Sequence, residues 1–73
     1  MSAMTNTLEE LATLLRVRRK ALGLSQQDVA DLCGVQRQTI GRVESADPTV
    51  AVGTVVAVTD ALGIDIAPQR APT

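Results

Sequence analysis

Arginine and glutamine residues stand close together near the middle of the chain, at Arg37, Gln38 and Arg42. Arginine can place two N–H groups on the O6 and N7 atoms of guanine, and glutamine can pair in the same bidentate way with adenine N6 and N7. Each such pair contributes about 1–3 kcal/mol of discrimination against a wrong base. The stretch from Gln36 to Arg42 contains no acidic residue. We therefore predict that Arg37, Gln38 and Arg42 read base edges in double-stranded DNA.

A second polar group suits the phosphate backbone. Ser25 and Gln26 stand at the start of a predicted helix. Backbone N–H groups and the helix dipole favour an anion at that position. We predict that Ser25, Gln26, Gln36 and Thr39 bind phosphate.

Two short helices joined by a tight turn must position these residues. Ser25 is a good N-cap for the first helix of this pair, and Gly34 should end that helix with a positive φ. The second helix is predicted over residues 36–45, with Ile40 and Val43 facing inward. This arrangement is typical of a helix-turn-helix, whose second helix enters the major groove of DNA.

A helix is expected before this pair and another after it. The first begins at a capping box formed by Thr7 and Glu10, carries Leu8, Leu11, Leu15 and Leu22 at helical spacing, and ends at Gly23. The segment of residues 50–62 is ambiguous, because its valines favour a strand whereas Val52, Val55, Val56, Thr59 and Leu62 fit one face of a helix. We choose the helix, which Gly63 would end.

The fold class predicted from these elements is all-α, a bundle of four to five short helices. Residues 1–6 are expected to be disordered, residues 7–66 to form one DNA-binding domain, and residues 68–73 to form a tail. Alternation at Ile64 and Ile66 predicts a short strand over residues 64–67. A lone strand needs a partner, and a second copy of the chain would supply it across a twofold axis. We therefore expect a homodimer.

The charge is distributed unevenly along a chain whose net charge is −1. Residues 16–42 carry six basic and two acidic residues, whereas the rest carries one basic and six acidic residues. One part of the molecule can therefore meet a phosphate backbone while the other repels it. Two unrelated solvated patches are the alternative interpretation.

Several classes of function are disfavoured by composition. The chain has no histidine, no aromatic residue and a single cysteine, Cys33. We expect no enzyme activity, no metal site and no cofactor, and the lack of aromatic residues disfavours binding of single-stranded nucleic acid. No stretch is apolar enough to span a membrane. A cytoplasmic location is expected, with Cys33 as a small core residue.

The run LLRVRRKALGLSQQDVADLCGVQRQTIGRVES resembles the Xre/Cro/CI family of bacterial and phage repressors, whose domain is of the lambda-repressor type. The resemblance implies a cytoplasmic protein of bacteria or phage. The ending PTVAVGTVVAVTDALGIDI is similar to the HipB-type antitoxins. The resemblance implies that Gln26 contacts DNA, usually at phosphate, and that Gln36, Arg37, Gln38 and Arg42 are exposed recognition positions. It also implies a structural ion pair between Arg19 and Glu44. The chain departs from the family where Ser45-Ala46 replaces the usual Asn-Gly and where Gln36 replaces the usual serine.

Two functions remain open at this point. The first is a homodimeric transcriptional repressor that binds a palindromic operator with helix 36–45 in the major groove. The alternative is an antitoxin that binds a toxin protein and regulates its own operon. The short tail after residue 68 argues against a long toxin-blocking arm.

Overall fold

The computed structural model describes the backbone of residues 3–64 and the side chains of residues 7–64. This part of the chain forms four α-helices, α1 (Ala3–Ala21), α2 (Gln26–Cys33), α3 (Arg37–Glu44) and α4 (Val52–Ala61), and contains no strand. The all-helical prediction is therefore confirmed over the described residues.

Helix α1 begins earlier than predicted. It starts at Ala3, so Thr7 lies inside the helix instead of capping it. No proline or glycine interrupts the chain before Gly23. Adding a turn to an existing helix costs little compared with starting one, and Ala3 and Met4 are good helix formers.

All four helices end with the same hydrogen-bond pattern. In α1, α2 and α4 a glycine takes a left-handed φ of +74°, +71° and +74°, at Gly23, Gly34 and Gly63 respectively. The next residue donates its N–H to a carbonyl five positions back, as in Val35 to Ala30 (3.0 Å). Leu24, Val35 and Ile64 follow these glycines and pack against the core. This is the Schellman motif with its usual apolar contact, and it sets the direction in which the chain leaves each helix.

Helix α3 ends in this way without a glycine. Ala46 takes a φ of +61°, and the Asp47 N–H donates to the Arg42 carbonyl at 3.0 Å. Left-handed backbone costs an L-residue with a Cβ atom roughly 1–2 kcal/mol. Ala46 therefore forms the turn at a steric cost that glycine at this position would not have.

The core lies where α2 packs against α3 and α4. Helix α1 packs against α3 and covers the core on that side. Its buried residues come from all four helices and are Leu15, Val29, Ala30, Ile40, Val43, Val58 and Leu62. Leu22 was expected on the buried face of α1, but it is 45% exposed. It follows the last residue of α1, so the helical spacing no longer decides its direction.

Helix α4 resolves the ambiguity between strand and helix, but its buried face is narrower than predicted. Thr59 and Leu62 are buried as expected, and Val58 joins them, whereas Val52 is 77% exposed and Val56 47% exposed. The Thr59 hydroxyl donates to the Val55 carbonyl at 2.8 Å, which satisfies a polar atom in the core. The two exposed valines lie on the side of α4 that no described helix covers.

The predicted strand falls mostly outside the described residues. Ile64 belongs instead to the Schellman motif that ends α4, since its N–H donates to the Thr59 carbonyl at 3.1 Å. Its side chain packs against the core. Ile66 and the other strand positions, 65 and 67, are outside the described residues, as is the tail of residues 68–73.

Among the described residues, no helix is long and apolar enough to cross a lipid bilayer. In the same part of the chain, no group of three or more potential metal-ligating side chains comes together. Cys33 is partly buried against the core, and this burial raises the pKa of its thiol.

Candidate nucleic-acid interface

Helices α2 and α3 are joined by residues 34–36, and the start of α2 is fixed by a capping box. The Asp28 N–H donates to the Ser25 hydroxyl at 2.9 Å, and the Ser25 N–H donates to the Asp28 carboxylate at 2.8 Å. Hydrogen bonds from the Ser25 N–H and then from the Ser25 side chain lower the pKa of the Asp28 carboxyl.

The outward face of α3 carries two of the three predicted base readers, Gln38 and Arg42. Gln38, Gly41 and Arg42 lie opposite the buried Ile40 and Val43. The Gln38 and Arg42 side chains are exposed, and there is open space at Gly41, because an added Cβ atom would meet only Gln26 Oε1, at 4.0 Å.

Residues Gln36 and Thr39, which were predicted to bind phosphate, flank this face. Gln36 is the N-cap of α3, and its exposed side chain makes no capping hydrogen bond. Thr39 is half-buried and its N–H donates to the Gln36 carbonyl at 2.9 Å. The weak cap leaves the Gln36 amide available for another partner.

Arg37 lies on the side of α3 that faces α2, where it meets Gln26. The Arg37 Nη1 atom donates to Gln26 Oε1 at 3.3 Å, and Gln26 Nε2 donates to Glu44 Oε1 at 3.1 Å. Because a carboxylate only accepts and a guanidinium only donates, these two partners fix which way the Gln26 amide points. Gln26 thus links a residue at the end of α3 to one at its start.

The Glu44 carboxylate is also held by Arg19 of α1. Arg19 Nε donates to Glu44 Oε2 at 2.6 Å, Arg19 Nη2 donates to Glu44 Oε1 at 3.1 Å, and Arg19 Nη1 donates to the Leu24 carbonyl at 2.8 Å. The two side chains are only 9% and 5% exposed. The structure therefore contains the ion pair that the family resemblance implied, with Gln26 as an additional partner.

Arg42 has partners that the sequence analysis missed. Its Nε atom donates to Asp47 Oδ2 at 3.0 Å, and its Nη2 atom donates to the Thr49 hydroxyl at 2.6 Å. Hydrogen bonds from the Thr49 hydroxyl and N–H, and then the bond from Arg42, lower the pKa of Asp47 to about 2. An acid five residues after an exposed arginine is a weak signal, because only the turn at Ala46 brings the two together.

Arg18 of α1 also has a partner in another element. Its Nε atom donates to the Leu62 carbonyl at 3.0 Å, at the C-terminal end of α4. A cation at this end of a helix satisfies a carbonyl and interacts favourably with the dipole. Arg16 and Lys20 remain exposed on α1.

Comparison with known proteins agrees with this geometry. A family model described as "Helix-turn-helix domain" matches residues 10–71, which is most of the chain. A search among curated proteins found no match.

Proposed function

Because the chain belongs to the helix-turn-helix domain family, we propose that it is a sequence-specific regulator of transcription that binds double-stranded DNA. The observation that carries this proposal is the exposed, acid-free face of α3, which follows a capped α2 and a turn of residues 34–36. Helices in this arrangement enter the major groove.

The side chains on α3 support base reading rather than general attraction alone. Arg37 keeps its full charge, because Gln26, its partner, is neutral. Gln38 is exposed beside it. Both can present paired hydrogen-bonding groups to guanine or adenine. Ser25, Gln26, Gln36 and Thr39 surround this face and would bind phosphate.

Selection of bound duplexes from a random pool tests this function, with wild type and Arg37→Ala compared. We expect wild type to select a defined sequence and Arg37→Ala to lose preference at one base pair per half-site, with affinity falling roughly 5- to 100-fold. Arg16→Ala is the matched control, because it removes the same charge from an exposed position on α1. Equal weakening of all sequences by Arg37→Ala would mean that Arg37 holds phosphate. No selected sequence for wild type would contradict the proposal.

We further propose that the protein acts as a homodimeric repressor on a palindromic operator. The resemblance of the run around Ser25 to the Xre/Cro/CI repressors supports this, as do Val52 and Val56, which α4 leaves exposed. A small domain gains stability when a second copy covers such a surface. Two copies would contact half-sites about 34 Å apart. The antitoxin alternative stays a prediction.

Truncation tests whether residues 65–67 join the two copies. The deletion should begin at residue 65, because Ile64 packs against the core and completes the stop of α4. We expect sedimentation equilibrium to show a monomer for the truncated chain and a dimer for the full chain. An unchanged dimer would contradict the pairing of strands.

A further inference from the structure

The hydrogen bonds of Arg42 occupy one particular edge of its guanidinium group. Nε and Nη2 form the side edge of the planar fork, and these two atoms donate to Asp47 Oδ2 and the Thr49 hydroxyl. The end edge, formed by Nη1 and the second hydrogen of Nη2, has no partner among the described residues. The Arg42 side chain is 51% exposed.

The free edge is sufficient for guanine. A bidentate contact to O6 and N7 needs two parallel N–H groups, and the end edge of arginine supplies them. Arginine has four rotatable side-chain bonds, so an unsupported fork loses considerable freedom when it binds. A partner that holds the side edge removes part of that loss before the DNA arrives.

The two acceptors are themselves held in place. The Thr49 hydroxyl donates to Asp47 Oδ1 at 2.6 Å while it accepts from Arg42, and the Thr49 N–H donates to the same Asp47 oxygen at 2.9 Å. The backbone of Asp47 is tied to α3 through its N–H, which donates to the Arg42 carbonyl at 3.0 Å. The carboxylate therefore stands at a set position beside the last turn of α3.

We propose that Asp47 and Thr49 are positioning residues for DNA recognition, which hold the side edge of Arg42 so that its end edge meets a guanine in the major groove. This inference rests on the proposed function, since it requires that α3 enter the major groove. It adds two residues from the loop after α3 to the determinants of sequence preference.

The test uses the duplex that wild type selects and the base pair at which Arg42→Ala loses its preference. Thr49→Val removes one acceptor from Arg42 and should weaken binding to this duplex about five- to tenfold. When the guanine at that base pair is replaced, Thr49→Val and wild type should bind the duplex with the same affinity. Thr49→Ser keeps the hydroxyl and should restore the affinity. In the Arg42→Ala background, Thr49→Val should have no further effect.

Asp47→Asn gives an independent test, because two explanations predict changes in DNA affinity of opposite sign. The substitution removes a negative charge, so general electrostatics predicts tighter binding to DNA, whereas loss of the positioning carboxylate predicts weaker binding. Asp60→Asn is the matched control, because it removes the same charge from an exposed residue of α4. We expect Asp47→Asn to weaken binding to the guanine duplex and Asp60→Asn not to weaken it.

Four outcomes would overturn the inference. Tighter binding by Asp47→Asn or Thr49→Val would show that the pair holds Arg42 away from DNA. If Thr49→Val weakens DNA binding equally in the wild-type and Arg42→Ala backgrounds, the loop acts independently of Arg42. If wild type selects a sequence but Arg42→Ala changes no base preference, this inference fails while the proposed function stands. If wild type selects no sequence, both fail.

Discussion

A chain of four side chains connects the stability of the fold to the candidate DNA-reading surface. Arg19 bonds to Glu44, Glu44 accepts from Gln26, and Gln26 accepts from Arg37. The first pair is buried and the last residue is exposed. A change at the buried end should therefore alter both the free energy of unfolding and the position of Arg37.

Arg19→Ala tests the buried end of this chain. Removing one partner leaves the Glu44 carboxylate buried and uncompensated, so we expect the free energy of unfolding to fall by about 3–5 kcal/mol. Urea denaturation of Arg19→Ala, Glu44→Ala and the double variant measures it. The double variant should lose less than the sum of the single losses, and simple additivity would contradict the coupling.

The Asp47 carboxylate should give the stability a pH dependence in acid. Its pKa is lowered from 3.8 to about 2 in the folded protein. Its contribution is therefore fully present above the unfolded pKa and is lost as the pH falls through the folded pKa. We expect the difference in free energy of unfolding between wild type and Asp47→Asn to be constant above roughly pH 5 and to shrink towards pH 2. A difference that does not vary with pH would contradict this.

The substitution Gly41→Ala tests whether α3 approaches DNA so closely that a methyl group at this position weakens binding. Its surroundings leave room for a methyl group, and alanine favours a helix over glycine by about 1 kcal/mol. Gly41→Ala should therefore raise the free energy of unfolding by about that amount while it weakens binding to the selected duplex, because the methyl group would stand on the exposed side of α3 that we propose meets the DNA. Unchanged affinity, measured by fluorescence anisotropy, would mark Gly41 as a tolerated surface residue.

At the scale of the helices, the four matching C-terminal stops decide the directions of the connecting segments. Gly34 turns the chain from α2 into α3, and Ala46 turns it from α3 towards α4. Both residues have a left-handed φ, but only glycine adopts it without a steric cost. Glycine should therefore be more stable than alanine at both positions, so Ala46→Gly and Gly34→Ala should change the stability in opposite directions.

Ala46→Gly should raise the free energy of unfolding by about 1 kcal/mol, and Gly34→Ala should lower it by about 1–2 kcal/mol. Gly53→Ala is the control, since Gly53 lies within α4 with open space around it. We expect it to stabilise the protein by up to about 1 kcal/mol. Thermal and urea unfolding measure all three. A loss of stability in Ala46→Gly would contradict strain at that turn.

At the scale of the whole molecule, the core is small and α4 leaves a valine-bearing side uncovered. If a second copy covers this surface, the apparent stability depends on protein concentration. We expect Tm to rise by about 5–10 °C over a hundredfold increase in concentration. Calorimetry at several concentrations measures this, with the chain truncated after Ile64 as the control. A constant Tm for the full chain would contradict dimerisation.

Local rules were enough to predict most of the secondary structure. The Ser25 cap, the stop at Gly34 and the amphipathic pattern of α3 depend on neighbouring residues, so they can be read from the printed sequence. The start of α1 was placed wrongly because Thr7 resembles a cap, although nothing before it breaks a helix.

The sequence by itself determined that Gln38 and Arg42 face outward on α3 and, to within one residue, where α2 and α3 begin and end, because both follow from short-range spacing and backbone conformation. The tertiary structure alone decided that Val58 rather than Val52 is buried, that Arg18 binds the end of α4, and that Asp47 and Thr49 hold Arg42. These contacts join residues from different elements or across a turn. Their geometry depends on how the helices pack, which no local pattern records.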